Sequence, residues 1–197
     1  MEPFTTHSGT VLPLDRADVD TDQIIPAEYL KRVERTGFGE FLFDSWRRDP
    51  AFVMNDPRYR GASILLAGAN FGCGSSREHA VWALEDAGFR AIVAPSFADI
   101  FRNNCTKVGL LPAALQEEII RSLFDAVLED PSTPITVDLE RKVVSAPGIE
   151  AAFAIDDFTR RRLLEGLDDI GLTLRHTTEI RAYEEAHPGV GGITRTD

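Results

Sequence analysis

The sequence is short of cysteine, of long apolar runs and of basic charge, and each shortage removes a class of function. Cys73 and Cys105 are its only cysteines. An iron-sulfur cluster held by one chain normally takes more thiolates at close spacing, so none is expected on this polypeptide. The four histidines are scattered without metal-ligand spacing, and no metal site is expected either. No apolar run approaches the roughly 20 residues that span a bilayer. The first six residues, Met1-Glu2-Pro3-Phe4-Thr5-Thr6, lack the basic and apolar regions of a secretory leader, so the expected location is the cytoplasm. With 21 Lys and Arg against 32 Asp and Glu, the formal charge of -11 argues against nucleic acid or an anionic membrane as partner.

What is present centres on Gly72-Cys73-Gly74-Ser75-Ser76-Arg77-Glu78-His79. An apolar run of strand length, Ser63 to Gly68, precedes it, and Ala80 to Gly88 follows with helical spacing. Gly72 and Gly74 let the backbone turn sharply and approach a ligand, while the free N–H groups of a first helical turn favour an anion. Arg77 adds a planar fork suited to a carboxylate or phosphate. On this reading Ser75 and Ser76 place two hydroxyls in an anion pocket. A structural reading stands beside it: Ser75 and Glu78 have capping-box spacing, and an arginine in a first turn is commonly solvated.

Three familiar motifs fail on the same residues. A P-loop needs lysine before its Ser/Thr, where this chain has Gly74; a dinucleotide fingerprint needs a third glycine and a later acid; a nucleophile elbow needs serine where Cys73 stands. Cys73 itself has a reading as an activated nucleophile in a glycine loop, without the motif of any cysteine enzyme. Cys105 reads as a small packing residue, and His79 as a hydrogen-bonded core residue.

Along the chain, Ser8 to Leu14 suggests a first strand. Asp15, Asp18, Asp20 and Asp22 follow in a turn-rich loop that is either solvated or pinned to the core by Ile24-Ile25-Pro26. Ala27 to Val33 has the look of a helix start that breaks toward Gly37 and Gly39. Arg90 to Pro95 reads as a strand, Phe97 to Asn104 as a helix opened by Ser96, and Gly109 to Pro112 as a short strand. Gln116 to Leu128 has one apolar helical face. Pro134 to Leu139 and Arg141 to Ser145 read as two strands about a tight turn at Glu140, and Asp156 to Gly166 and Thr177 to Ala186 as helices. The β-α-β-α order favours parallel strands with right-handed crossovers. The expected fold class is α/β, one domain over 1–187, with a loose tail over 188–197.

The glycine-serine motif together with Asp20-Thr21-Asp22-Gln23-Ile24-Ile25-Pro26 resembles the swivel domain of the aconitase superfamily. In bacterial form it is similar to the separate small subunits of isopropylmalate hydro-lyases, from about Met1 to Ile170. The resemblance implies a swivel-type domain with a mixed or parallel sheet and flanking helices. It makes Ser75 the base that removes and returns a carbon-bound proton, Arg77 the clamp on a substrate carboxylate, Ser76 its support and Asp22 an orienting carboxylate. In the family the loop at Tyr29 to Arg32 varies with the substrate's side group, which makes Leu30 and Arg32 candidate substrate contacts; Leu30 reads equally well as a core leucine. The resemblance also implies a large partner subunit carrying a [4Fe-4S] cluster that acts as Lewis acid on a small dicarboxylate. The expected reaction interconverts 2-isopropylmalate and 3-isopropylmalate through 2-isopropylmaleate in leucine biosynthesis. Citraconate or homoaconitate as the diacid, and a non-enzymatic carboxylate-sensing module, remain as alternatives.

Overall fold

Four short apolar runs form the centre of the fold. A computed structural model describes residues 1–31 and 35–187. In chain order the main elements are β1 (Thr6–Gly9), β2 (Val11–Leu14), α1 (Thr21–Ile24), α2 (Asp44–Arg47), β3 (Ile64–Ala67), α3 (Glu78–Asp86), β4 (Ala91–Ala94), α4 (Asp99–Val108), β5 (Leu111–Ala114), α5 (Glu117–Glu129), β6 (Ile135–Asp138), β7 (Val143–Ala146), β8 (Ile149–Ala152) and α6 (Asp157–Leu164). Strands β2, β3, β4 and β5 lie side by side in that order, all parallel. Every residue of β2, β3 and β4 is buried, the pattern of a sheet covered on both faces. The connections β3-α3-β4 and β4-α4-β5 step the same way across this sheet, so right-handed crossovers place α3 and α4 on one face, where they pack together.

A second sheet, β1-β6-β7-β8, is antiparallel throughout. Helix α5 touches β2, β4 and β8 and so joins the two sheets. Its buried stripe of Ile120, Leu123, Phe124 and Val127 has the i, i+3, i+4, i+7 spacing anticipated from the sequence. The expected α/β fold with a parallel sheet and flanking helices is present.

Local expectations need correction at several points. The run from Ser8 to Leu14 is two strands, because the chain crosses between sheets at Thr10, whose carbonyl accepts from the amides of Ser63 and Ile64. Gly9 permits the passage: a β-carbon there would sit 2.0 Å from Ser63 Oγ. Gly109 belongs to no strand. It ends α4 at φ 95°, and Leu110 N–H then donates to Cys105 O. Helix α4 is opened by Ala98 and not by Ser96, whose hydroxyl instead accepts from the amide of Asn70 at 2.9 Å. Ala27–Lys31 is a 3-10 turn and not the start of an α-helix. Past β7, Gly148 at φ 75° turns the chain into β8, a strand the sequence reading lacks.

A second unit begins at Leu167. It holds α7 (Asp169–Leu174), capped by Asp168 whose carboxylate accepts from Gly171 N–H at 2.7 Å, and α8 (Thr177–Ala186). The expected tail at 188–197 lies outside the described residues. Among the described residues no helix is long and apolar enough to cross a membrane.

Candidate active site

The loops that leave the carboxyl ends of β2, β3 and β4 run together, which is where open α/β sheets place their ligands. Asp20 pairs with Cys73 and Phe71 with Phe97 in isolated parallel bridges that carry the sheet order outward. Phe71 N–H donates to Ser96 O at 3.1 Å and Ala98 N–H to Phe71 O at 3.1 Å, while the amides of Gly72 and Cys73 donate to Val19 O at 2.8 and 3.2 Å. The loop between β3 and α3 is thereby held from both sides.

The four aspartates of the first loop divide their work. Asp15 pairs with Arg121 at 3.1 Å, and Asp18 accepts from the side-chain amide of Asn70 at 2.8 Å. Asp20 caps α1: its carboxylate accepts from Gln23 N–H at 2.8 Å, and Gln23 Oε1 accepts from Asp20 N–H at 2.9 Å, a full capping box. Asp22 reaches the far end of the β3-α3 loop, where its carboxylate accepts from Arg77 Nη1. Both readings hold in part: Asp15, Asp18 and Asp22 stay exposed, while Val19, Thr21 and Ile24 pin the segment to the core.

The second loop departs from the capping-box expectation. Helix α3 starts at Glu78 with Arg77 as its cap residue and no side-chain cap. Glu78 leans toward Lys107 Nζ, 3.8 Å away, instead of reaching back. Ser75 thus stands before the helix and caps nothing. Gly72 and Gly74 take φ of 77° and 90°, and a β-carbon on Gly72 would meet the Phe101 ring at 2.1 Å. Consequently the amides of Gly74, Ser75, Ser76, Glu78 and His79 have no partner among the described residues, and neither do the hydroxyls of Ser75 and Ser76. A set of unpaired N–H groups at a helix start is an anion-binding concavity. The Arg77 side chain is only 20% exposed and pairs with Asp22, so it is not a freely solvated first-turn residue.

Thr21 is the residue that sequence reasoning passed over. Its side chain is buried; its N–H donates to Cys73 O at 2.9 Å and its hydroxyl to Ser75 O at 3.0 Å. The one available signal was its place between Asp20 and Asp22 in the quoted motif.

Other candidates resolve differently. Burial, and then the charges of Asp20 and Asp18, push the Cys73 thiol up, the reverse of what an activated nucleophile needs. Cys105 is wholly buried, which pushes its thiol far up. His79 packs against Phe38 and Trp82, with ring centroids 5.3 and 4.6 Å away, and burial lowers its pKa. It packs by its ring, and the hydrogen bond expected of it is not found among the described residues. Leu30 is half-buried against the core in the Ala27–Lys31 turn, beside Tyr29, whose hydroxyl donates to Asp44 at 3.1 Å. Arg32 lies outside the described residues.

No group of three or more His, Cys, Asp or Glu among the described residues is arranged to hold a metal ion. With Cys105 sealed in the core, the chain's own residues do not fit an iron-sulfur cluster.

The aconitase C-terminal domain model matches residues 1–118, so this parallel sheet with two loops tied together at its carboxyl edge is an aconitase-type swivel domain. Within that class, the chain belongs to the 3-isopropylmalate dehydratase small-subunit family. The C-terminal domain model of that small subunit matches residues 169–189. The 3-isopropylmalate dehydratase small subunit of Rubrobacter xylanophilus is 60% identical over 95% of this chain and 96% of its own. That of Acidothermus cellulolyticus is 58% identical over 99% of both. The crystal structure of 3-isopropylmalate dehydratase from Methanocaldococcus jannaschii superimposes with a TM-score of 0.67 at 26% identity, covering 91% of this chain and 99% of that one.

Proposed function

We propose that this chain is the proton-handling subunit of a two-subunit hydro-lyase that interconverts 2-isopropylmalate and 3-isopropylmalate through 2-isopropylmaleate. The observation that carries the reading is the set of amides of Gly74, Ser75, Ser76, Glu78 and His79, unpaired among the described residues, beside the hydroxyls of Ser75 and Ser76 and the guanidinium of Arg77. One substrate carboxylate lies in that cluster, bound by Arg77 and steadied by Ser76. Asp22 orients the guanidinium from the other side. Gly74 keeps the backbone close to the ligand, while Gly72, whose missing side chain leaves room for Phe101, shapes the loop behind it.

Ser75 then takes the proton from the substrate carbon next to the one bearing the hydroxyl. The C–H electron pair becomes the double bond, and the hydroxyl departs as water once an acid from outside this chain has given it a proton, so that the proton on Ser75 stays available for return. Returning the proton to the other carbon, with water added at its neighbour, gives the isomer. Serine is a poor base in water. It serves here as its alkoxide, which the neighbouring amides and the arginine stabilise and which becomes a neutral hydroxyl on taking the proton. Leu30 meets the isopropyl-bearing end of the substrate; Arg32, the other candidate substrate contact, lies outside the described residues.

The acid that would draw away the hydroxyl belongs outside this chain, since its two cysteines, one of them sealed in the core, do not fit an iron-sulfur cluster. We place it as a [4Fe-4S] cluster on a large partner subunit, and the working site is shared between the two. A biosynthetic enzyme of this kind belongs in the cytoplasm and has no use for nucleic acid or a membrane. The named relatives lend no support to citraconate, homoaconitate or a bare carboxylate sensor.

The test is reconstitution. The purified chain is mixed anaerobically with a cluster-bearing large subunit, and the absorbance of the unsaturated diacid is followed with each substrate. The reading requires no turnover from either part alone and turnover of isopropylmalate by the pair. Dehydration by this chain alone, or a preference of the pair for citraconate or homoaconitate, would overturn it.

A further inference from the structure

We infer that Thr21 is a positioning residue: it sets the conformation of the loop that carries Ser75, through two hydrogen bonds that straddle Gly74. The inference rests on the reading of Ser75 as the base. Thr21 N–H donates to Cys73 O at 2.9 Å and Thr21 Oγ1 donates to Ser75 O at 3.0 Å. The two accepting carbonyls therefore flank Gly74, whose φ of 90° makes it the hinge of the loop.

Fixing the carbonyls on either side of a hinge fixes the peptide planes between them. The amides of Gly74, Ser75 and Ser76 belong to those planes or adjoin them. Because the carbonyls are drawn toward Thr21, the amides are left unpaired and available to a ligand. A threonine supplies this from a rigid base: its side chain is 1% exposed, its β-branch restricts χ1, and it sits in the first turn of α1, which Asp20 and Gln23 cap reciprocally.

The arrangement separates positioning from global stability. Ser75 O also accepts from Arg77 N–H at 2.8 Å. Loss of the threonine hydroxyl would thus leave no orphaned carbonyl, the usual source of a large penalty. Valine keeps the shape and the backbone bond to Cys73. The consequence is a loop with one of its two tethers cut, and a misplacement on the order of 1 Å can cost up to about 100-fold in rate.

The experiment compares Thr21→Val and Thr21→Ser in the reconstituted pair, with Ser75→Ala as a control. Turnover, KM, thermal midpoint and amide hydrogen exchange of the 72–77 segment are measured for each. The expected result for Thr21→Val is a kcat lowered about tenfold or more, faster exchange confined to that segment, and a nearly unchanged midpoint. Thr21→Ser restores both rate and exchange. Should Thr21→Val fail to fold, Thr21→Ala makes the same comparison with the backbone bond kept. Wild-type kcat and segment exchange in Thr21→Val, or an equal loss in Thr21→Ser, would overturn the inference. Turnover retained in Ser75→Ala would instead overturn the reading on which it rests.

Discussion

Replacing Gly72 with alanine should destabilise the chain far more than the same change at Gly74, although both glycines have positive φ. Their backbone angles of 77° and 90° impose a similar conformational cost on an L-residue, about 1–2 kcal/mol. Their surroundings differ. At Gly74 the nearest atom to a new β-carbon is Asp20 Cβ at 3.4 Å, an ordinary contact. At Gly72 it is the ring of Phe101 at 2.1 Å, and that ring is buried and packed edge-on against Phe71 with centroids 5.4 Å apart. Forcing the ring aside adds an overpacking cost of about 1–3 kcal/mol. Gly72→Ala should therefore cost about 2–5 kcal/mol in all, and Gly74→Ala only the first part. Urea unfolding of the isolated chain reads the difference directly. With a slope of about 2 kcal/mol per molar, the Gly72→Ala midpoint should fall below that of Gly74→Ala by about 0.5 M or more. A double-mutant cycle identifies the agent: Phe101→Ala makes room, so the pair of changes should cost less than the sum of the two. Equal midpoints for the two glycine variants, or strict additivity with Phe101→Ala, would refute the packing argument.

Other consequences are open to equally simple measurement. Arg77→Lys keeps the charge but not the planar fork that pairs with Asp22 and, in the proposed function, also holds a substrate carboxylate, so kcat/KM of the reconstituted pair should fall at least about tenfold; kinetics within twofold would make Arg77 a bystander. Asp156 has its carboxyl held below the usual range by hydrogen bonds from Thr159. A depressed folded-state pKa means that its stabilisation is complete above the ordinary carboxylate range and is lost as pH falls toward the folded value. Asp156→Asn should accordingly flatten the acid limb of a stability-pH curve, and an unchanged limb would show that the cap contributes nothing there.

Much of this molecule could be read from single stretches of sequence, and the rest could not, for identifiable reasons. The strands at Ile64–Ala67 and Ala91–Ala94 are unbroken apolar runs, and α5 shows its stripe by spacing alone. The split at Gly9 was hidden because the clash that demands glycine there involves Ser63, more than fifty positions away. The strand Ile149–Ala152 was missed because Glu150 and Ala152 are exposed and Ile149 and Ala151 only half-buried, a weak alternation. At the site, the glycines, serines, Arg77 and Asp22 announced themselves as a motif. Thr21 did not, since its bond to Ser75 joins residues 54 apart in the chain. The expected cap by Ser75 failed because Arg77 N–H closes a tight turn onto Ser75 O and delays the helix to Glu78.

The central claim is that Ser75 handles the carbon-bound proton, and its most direct test is Ser75→Ala in the reconstituted enzyme, with turnover normalised to folded complex. Because the Ser75 hydroxyl has no partner among the described residues and caps no helix, the variant should melt as wild type does. It should still bind the dicarboxylate, yet lose at least the roughly 100-fold in kcat typical of a missing general base. An unshifted melt accompanied by turnover within a few-fold of wild type would contradict the claim and move the base to another residue.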